Sequence, residues 1–241
     1  DFDISKAIAF HKEKKALATM VLTRVANPLQ FGVVITDKDG KIERFLEKPS
    51  WGEVFSDTIN TGIYILEPEV FDYIAENKDV DFSKDLYPRL LRENKGLYGY
   101  IAEGYWKDIG NHDEYRFAHY DILDGKVNIK VDGAKKQIDG KTTIIIGKNT
   151  VIEPGVVFDS NSIIGDNAVI KKGAKIGKSV IGPGVTIGEH ALLLGSVLWD
   201  GVSIGDEASL KETVIGSSTV IGEKTSVQVG TIIADECNIG S

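Results

Sequence analysis

From Ile146 onward the sequence repeats every six residues, a period that admits very few folds. Ile146, Ile152, Phe158, Ile164, Ile170 and Ile176 mark the beat. It shortens by one residue to Ile181, runs through Ile187 and Leu193, and shortens again to Leu198, Ile204 and Leu210. A third short step leads to Ile215, Ile221 and Val227. A longer unit overlies the short one: Ser179-Val180-Ile181, Ser196-Val197-Leu198, Thr213-Val214-Ile215 and Thr231-Ile232-Ile233 recur at intervals of 17, 17 and 18 residues. Three hexapeptides close one triangular turn of a parallel β-helix, with the aliphatic residues inward and Gly, Asp, Asn or Lys at the corners. About five turns fit between Ile146 and Ser241.

Some hexapeptide solenoids carry a catalytic histidine, and others bind zinc through three. The repeat region here holds only His190, so one chain cannot build a three-histidine zinc site within it. A corner histidine reads as solvated surface, and His11, His112 and His119 read as helix or cap residues. The net charge of −8 argues against a nucleic-acid surface, which needs a basic face. No apolar run approaches the ~20 residues of a membrane span, and no secretory signal opens the chain. The single cysteine, Cys237, excludes an intrachain disulfide and predicts a reducing, cytoplasmic setting. The chain opens at Asp1, and its one methionine is Met20, which reads as a fragment.

The part before the repeat alternates helices and strands. A helix is expected over residues 1–15, capped by Asp1 or Asp3, with Ile4, Ala7, Ile8 and His11 on one face. Residues 16–25 read as a strand buried on both faces. Phe31 to Thr36 forms a strand, turned by Asp37-Lys38-Asp39-Gly40 into the strand ending at Glu47. The strand at Arg44–Glu47 is expected to face Ile59–Leu66 across a loop. Helices are expected at 68–75 and 83–93, the second capped by Ser83 and kinked or restarted at Pro88. Short strands follow at 97–101 and 104–106, and then a helix at 111–123 with Asn111 and Glu114 as a capping box.

Three places carry candidate chemistry. Pro49 ends a strand and leaves Glu47 and Lys48 at its tip, opposite Asn60-Thr61-Gly62. A carboxylate accepts from hydroxyls, an ammonium meets a phosphate, and a glycine admits a ligand to the backbone. The alternative is a solvated strand end. Gly32 either clears space for a ligand or marks a bulge. Asp108 lies between a strand and a helix, where a lone carboxylate could hold Mg²⁺ together with substrate phosphates, or could bond its own turn.

Taken in order, FGVVITD, FLEKP, INTGIYILEP and GYWKDIG followed by hexapeptide repeats resemble the sugar-1-phosphate nucleotidyltransferases, closest to their mannose-1-phosphate guanylyltransferase (GDP-mannose pyrophosphorylase) branch. The resemblance covers essentially the whole chain. It implies the C-terminal part of an α/β, Rossmann-like nucleotidyltransferase domain over residues 1–125, a linker over 126–145, and a left-handed parallel β-helix over 146–241. It also implies Glu47 on sugar hydroxyls, Lys48 on the sugar phosphate, Gly32, Asn60, Thr61 and Gly62 lining the sugar pocket, and Asp108 on a catalytic Mg²⁺. The substrates would be a sugar 1-phosphate, mannose 1-phosphate favoured, and an NTP, GTP favoured. A glucose-1-phosphate enzyme using ATP, UTP or dTTP, or a non-catalytic relative, shares the same plan.

The family's glycine-rich loop for the nucleotide phosphates has no match in residues 1–40. The sugar half of the site is therefore expected, the nucleotide half is not, and no turnover is expected from residues 1–241 alone. Ile239-Gly240-Ser241 shows no polar capping segment, so further sequence and self-association through the β-helix are expected.

Overall fold

The computed structural model describes residues 1–54 and 56–240 and divides into two compact units, Asp1–Trp106 and Lys107–Ser241. Ser241, the last residue of the expected repeat, lies outside the described residues.

The first unit is built on a five-stranded sheet of order β3-β2-β4-β1-β5. Its strands are β1 (Ala18–Arg24), β2 (Gly32–Thr36), β3 (Ile42–Glu47), β4 (Thr58–Leu66) and β5 (Leu97–Ile101). β1 is an inner apolar strand, between β4 and β5; its first six residues are all buried, as its composition predicts. β2 lies between β3 and β4, because the hairpin pairs β3 with β2 and Val33 then pairs with Ile59. The strands carrying Glu47 and Asn60 therefore do not face each other directly.

Helix α1 (Ile4–Lys14) is capped by Asp3, whose Oδ1 accepts from the Ser5 N–H, and ends at Lys15 in the left-handed region. Of its expected buried face, Ala7 and His11 are enclosed, whereas Ile4 and Ile8 are exposed. His11 ties three elements together: Nδ1 lies 2.8 Å from Thr19 Oγ1 and Nε2 lies 3.0 Å from Glu67 Oε1. The order resembles a nucleophile–base–acid chain, but Thr19 is wholly enclosed, so the contact is structural. His11→Ala leaves a buried hydroxyl unpaired and opens a cavity. It should cost about 2–4 kcal/mol, read as a lower urea midpoint at unchanged slope.

The stretch expected as a helix over 83–93 is a π turn, Phe82–Leu86, capped by Asp81 rather than Ser83, followed by α2 (Tyr87–Arg92). Pro88 falls in the first turn of α2, where its missing N–H costs nothing. Residues 68–73 form a 3₁₀ helix. The expected strand at 104–106 is absent; Gly104 sits at φ 133°, and the Tyr105 N–H donates to Asp1 Oδ1. Among the described residues no helix is long and apolar enough to cross a membrane.

The second unit begins with helix α3 (His112–Leu123). The segment expected as a linker contains β6 (Ala134–Gln137), which pairs antiparallel with β7 (Thr143–Ile146). β6 carries Lys135 and Lys136, all four of its residues are exposed, and it covers one end of the solenoid sheet with a charged edge. From β7 onward the described residues make five complete triangular coils and two sides of a sixth. The inward stacks follow the sequence period: Ile146, Ile164, Ile181, Leu198, Ile215 and Ile233 on one side, and Ile152, Ile170, Ile187, Ile204, Ile221 and Ile239 on the next. Corner residues such as Asn167, His190 and Lys224 take positive φ, and His190 is exposed as expected.

The short steps share a hydrogen-bond pattern. Each five-residue step tightens one corner, and a buried hydroxyl replaces the backbone acceptor lost there. The Ser196 N–H donates to Ser179 Oγ and the Thr213 N–H to Ser196 Oγ, both at 3.1 Å. Ser179 Oγ donates in turn to the Gly177 carbonyl.

Candidate functional site

Glu47 pairs in register with Gly32, and the antiparallel Val33–Ile59 pair places Asn60 beside Gly32 on the next strand. Residues directly opposite share a face of the sheet. Glu47, Gly32 and Asn60 thus form one row across β3, β2 and β4, with the two polar side chains about 10 Å apart, two strand spacings. Gly32 shows no bulge; the irregularity in β2 lies between Ile35 and Thr36. A methyl group at position 32 would lie 2.8 Å from the Phe45 ring and 2.9 Å from Glu47 Oε2. The glycine lets the Glu47 carboxylate lie across the strand.

Lys48 follows Glu47 at φ 45°, left-handed and immediately before Pro49. An L-residue there stores about 1–2 kcal/mol. The Lys48 N–H donates to the Phe31 carbonyl at 3.1 Å. Beyond it, Ser50 and Glu53 close a capping box. The Ser50 hydroxyl and N–H hold the Glu53 carboxyl below the usual carboxylate range. Glu47 and Lys48 are both exposed, and neither side chain has a hydrogen bond or ion pair among the described residues.

Thr61-Gly62-Ile63 is a bulge, with Asn60 at its edge: Met20 pairs with Tyr64 and Leu22 with Asn60, leaving three residues of β4 against Val21 alone. Asn60 Oδ1 accepts from the Gly62 N–H at 3.0 Å, and Asn60 Nδ2 donates to the Tyr64 hydroxyl at 2.7 Å. The Thr61 hydroxyl donates to the Val21 carbonyl at 2.7 Å. Asn60 and Thr61 hold the bulge, and Gly62 sits at its exposed crest with φ 81° and open space above it.

Sequence reasoning passed over the floor beneath this row. Phe45, Tyr64, Phe82 and Tyr87 pack edge-on or tilted with ring centroids 5.3–6.2 Å apart. Burial, with Tyr64 adding to it, pushes the Tyr87 hydroxyl pKa up. The two-residue alternation from Phe45 to Glu47 was legible as a shared face. The link from Asn60 to Tyr64 depends on the bulge.

Asp108 belongs to the second unit, in the turn before α3. Its carboxylate is exposed, with no hydrogen bond or ion pair among the described residues, so the self-bonded turn aspartate is not what forms. The described residues contain no cluster of three or more His, Cys, Asp or Glu able to cage a metal. One free carboxylate suits Mg²⁺ arriving with phosphates, which takes one or two protein carboxylates and keeps its waters. The expected capping box is half formed: Asn111 Oδ1 accepts from the Glu114 N–H, while the Glu114 carboxylate is taken by Lys107 at 2.7 Å.

Residues 1–125 match the family described as "Nucleotidyl transferase", and residues 141–241 match the "EIF2B subunit epsilon LbH domain", a left-handed β-helix. A UTP–glucose-1-phosphate uridylyltransferase of Synechocystis is 35% identical over 197 residues, 74% of this chain and 51% of the relative. A mannose-1-phosphate guanyltransferase of Debaryomyces hansenii is 34% identical over 178 residues, 73% of this chain and 42% of the relative. A mannose-1-phosphate guanylyltransferase of Mycobacterium tuberculosis is 29% identical over 175 residues, 72% and 47% of the two chains. The chain spans about half the length of the curated relatives it matches. With one family match over the mixed-sheet unit and α3, another over the solenoid, and relatives of one reaction class, the chain belongs to the sugar-1-phosphate nucleotidyltransferase family.

Proposed function

We propose that this chain provides the sugar-1-phosphate side of a nucleotidyltransferase site, with mannose 1-phosphate and GTP as substrates of the whole protein. The observation that carries the reading is the free, exposed pair Glu47 and Lys48, held at a strained strand end with Gly32 directly opposite Glu47. Glu47 accepts from sugar hydroxyls, and the Lys48 ammonium meets the phosphate as a charge-assisted donor. Gly62, with open space above it, lets the ring approach the backbone, Gly32 makes room for the Glu47 carboxylate, and Asn60 and Thr61 fix the crest on which Gly62 sits. Asp108 would hold Mg²⁺, which supplies charge neutralisation for phosphates.

In the reaction, a phosphate oxygen of the sugar 1-phosphate attacks the α-phosphorus of the NTP. A new P–O bond forms, the bond from that phosphorus to the bridging oxygen breaks, and pyrophosphate leaves with the electron pair. No protein nucleophile takes part. Lys48 works by holding the attacking phosphate and offsetting repulsion between two anions.

Two further readings have their own support. Glucose 1-phosphate as substrate is favoured by the Synechocystis relative at 35% identity. A non-catalytic relative is favoured by the solenoid's match to the EIF2B-type domain. Titrating the isotope-labelled chain with mannose 1-phosphate, glucose 1-phosphate and inorganic phosphate separates them. We expect amide shifts at Gly32, Glu47, Lys48 and Gly62, with mannose 1-phosphate binding most tightly. Tighter binding of glucose 1-phosphate would move the assignment to that sugar. No shift with either sugar phosphate would overturn the reading.

A further inference from the structure

Asp108 is carried by a short loop that the structure fastens at both ends to a single residue. On one side, Lys107 Nζ lies 2.7 Å from Glu114 Oε2 and 3.8 Å from Asp121 Oδ2. On the other, Asn111 Oδ1 accepts from the Glu114 N–H at 2.9 Å. Glu114 thus spans the loop 107–111 with its side chain and its backbone. Both members of the ion pair are partly sheltered, with side chains 24% and 38% exposed, so the pair is less screened than a surface bridge.

The helix beneath is fixed in turn to the solenoid. The buried Arg116 guanidinium donates to the Glu212 carbonyl and lies 3.5 Å from the Glu212 carboxylate. The Tyr120 hydroxyl donates to the Gly195 carbonyl, and Lys178 Nζ lies 3.1 Å from Asp124 Oδ2. Trp199 Nε1 donates to the Tyr115 hydroxyl at 3.1 Å, and Asn161 Nδ2 donates to the Leu123 carbonyl at 2.9 Å. Lys178, Gly195 and Glu212 are successive residues of one shortened corner, so α3 meets three neighbouring coils. Beside that corner, the outward row Ile163, Val180, Val197, Val214 and Ile232 is entirely aliphatic, with Val197 and Val214 buried. A loop held at both ends in this way keeps its course at little entropic cost when a ligand arrives.

We propose that Glu114 is a positioning residue for Asp108. By clasping Lys107 across the loop, on a helix anchored to the solenoid, it sets the Asp108 carboxylate for a divalent cation. The inference rests on the reading of Asp108 as the metal carboxylate, and the two can fail separately.

The probe is Mn²⁺ alone, titrated into the labelled chain and read as paramagnetic broadening of the amides of residues 107–111, with thermal unfolding measured on each variant. Asp108→Asn should abolish the local broadening. Glu114→Gln and Lys107→Met should each weaken Mn²⁺ binding about tenfold, as loss of an outer-shell partner does, and the double variant should be no weaker than either single. Lys107→Met decides between explanations. Removing a cation beside Asp108 should tighten Mn²⁺ binding if only charge matters or if Glu114 is itself a ligand, whereas the clasp requires weakening. Tighter or unchanged binding in Lys107→Met, with the unfolding temperature kept and Asp108→Asn silent, overturns the inference alone. Broadening that survives Asp108→Asn overturns the metal role of Asp108 and the inference with it.

Discussion

Replacing Ile187 or Ile204 by aspartate should unfold the solenoid. Ile187 is wholly enclosed and Ile204 nearly so, each stacked between aliphatic residues of the coils on either side. A carboxylate there has no partner and must stay charged in an apolar interior or bind a proton, at a cost of several kcal/mol either way. A solenoid couples each coil to its neighbours, so the loss spreads beyond the substituted coil. The expected result is loss of the solenoid's cooperative melting transition. Ile187→Val, which removes one methylene, should cost only about 0.5–1.5 kcal/mol. An aspartate variant melting within a few degrees of the parent would show that the interior is not the closed aliphatic stack described.

The second large effect is expected at Lys48. A charge-assisted bond to a phosphate contributes about 1.5–3 kcal/mol, so Lys48→Ala should weaken sugar 1-phosphate binding by about 10- to 100-fold. In the whole protein, nucleotide binding should change far less. Backbone strain gives a sharper version of the test. Lys48 holds φ 45°, which glycine adopts freely. Lys48→Gly should therefore lose binding as Lys48→Ala does while leaving the unfolding midpoint the same or higher. If Lys48→Gly both kept its affinity and lost stability, the residue would be holding the fold and not the ligand. Equal losses for sugar phosphate and nucleotide would place Lys48 elsewhere in the reaction.

The sequence by itself determined the solenoid almost residue by residue, because a β-helix has one period and one inward position per side. Any aliphatic residue on that beat must point inward, and Ile181, Leu198 and Ile215 show that even the short steps were countable. It also located the strand tip at Glu47 and Lys48, since Pro49 ends a ladder wherever it stands. Three things were settled only by the tertiary structure. The first is the placing of β2 between β3 and β4, which makes Gly32 the floor between Glu47 and Asn60; strand order is a long-range choice that no local pattern records. The second is the bulge at Thr61-Gly62-Ile63, which needs the unequal pairing with β1 before the side chains of Asn60 and Thr61 have their partners. The third is the attachment of α3. The sequence marked it as a capped helix over 111–123, yet could not say against what it packs. The answer was written in the middle residues of the Ser-Val-Ile triplets, where one side of the solenoid is aliphatic outside as well as inside. A strand apolar on both faces must be covered on both, and in this protein α3 covers part of the outer face and brings the Asp108 loop with it.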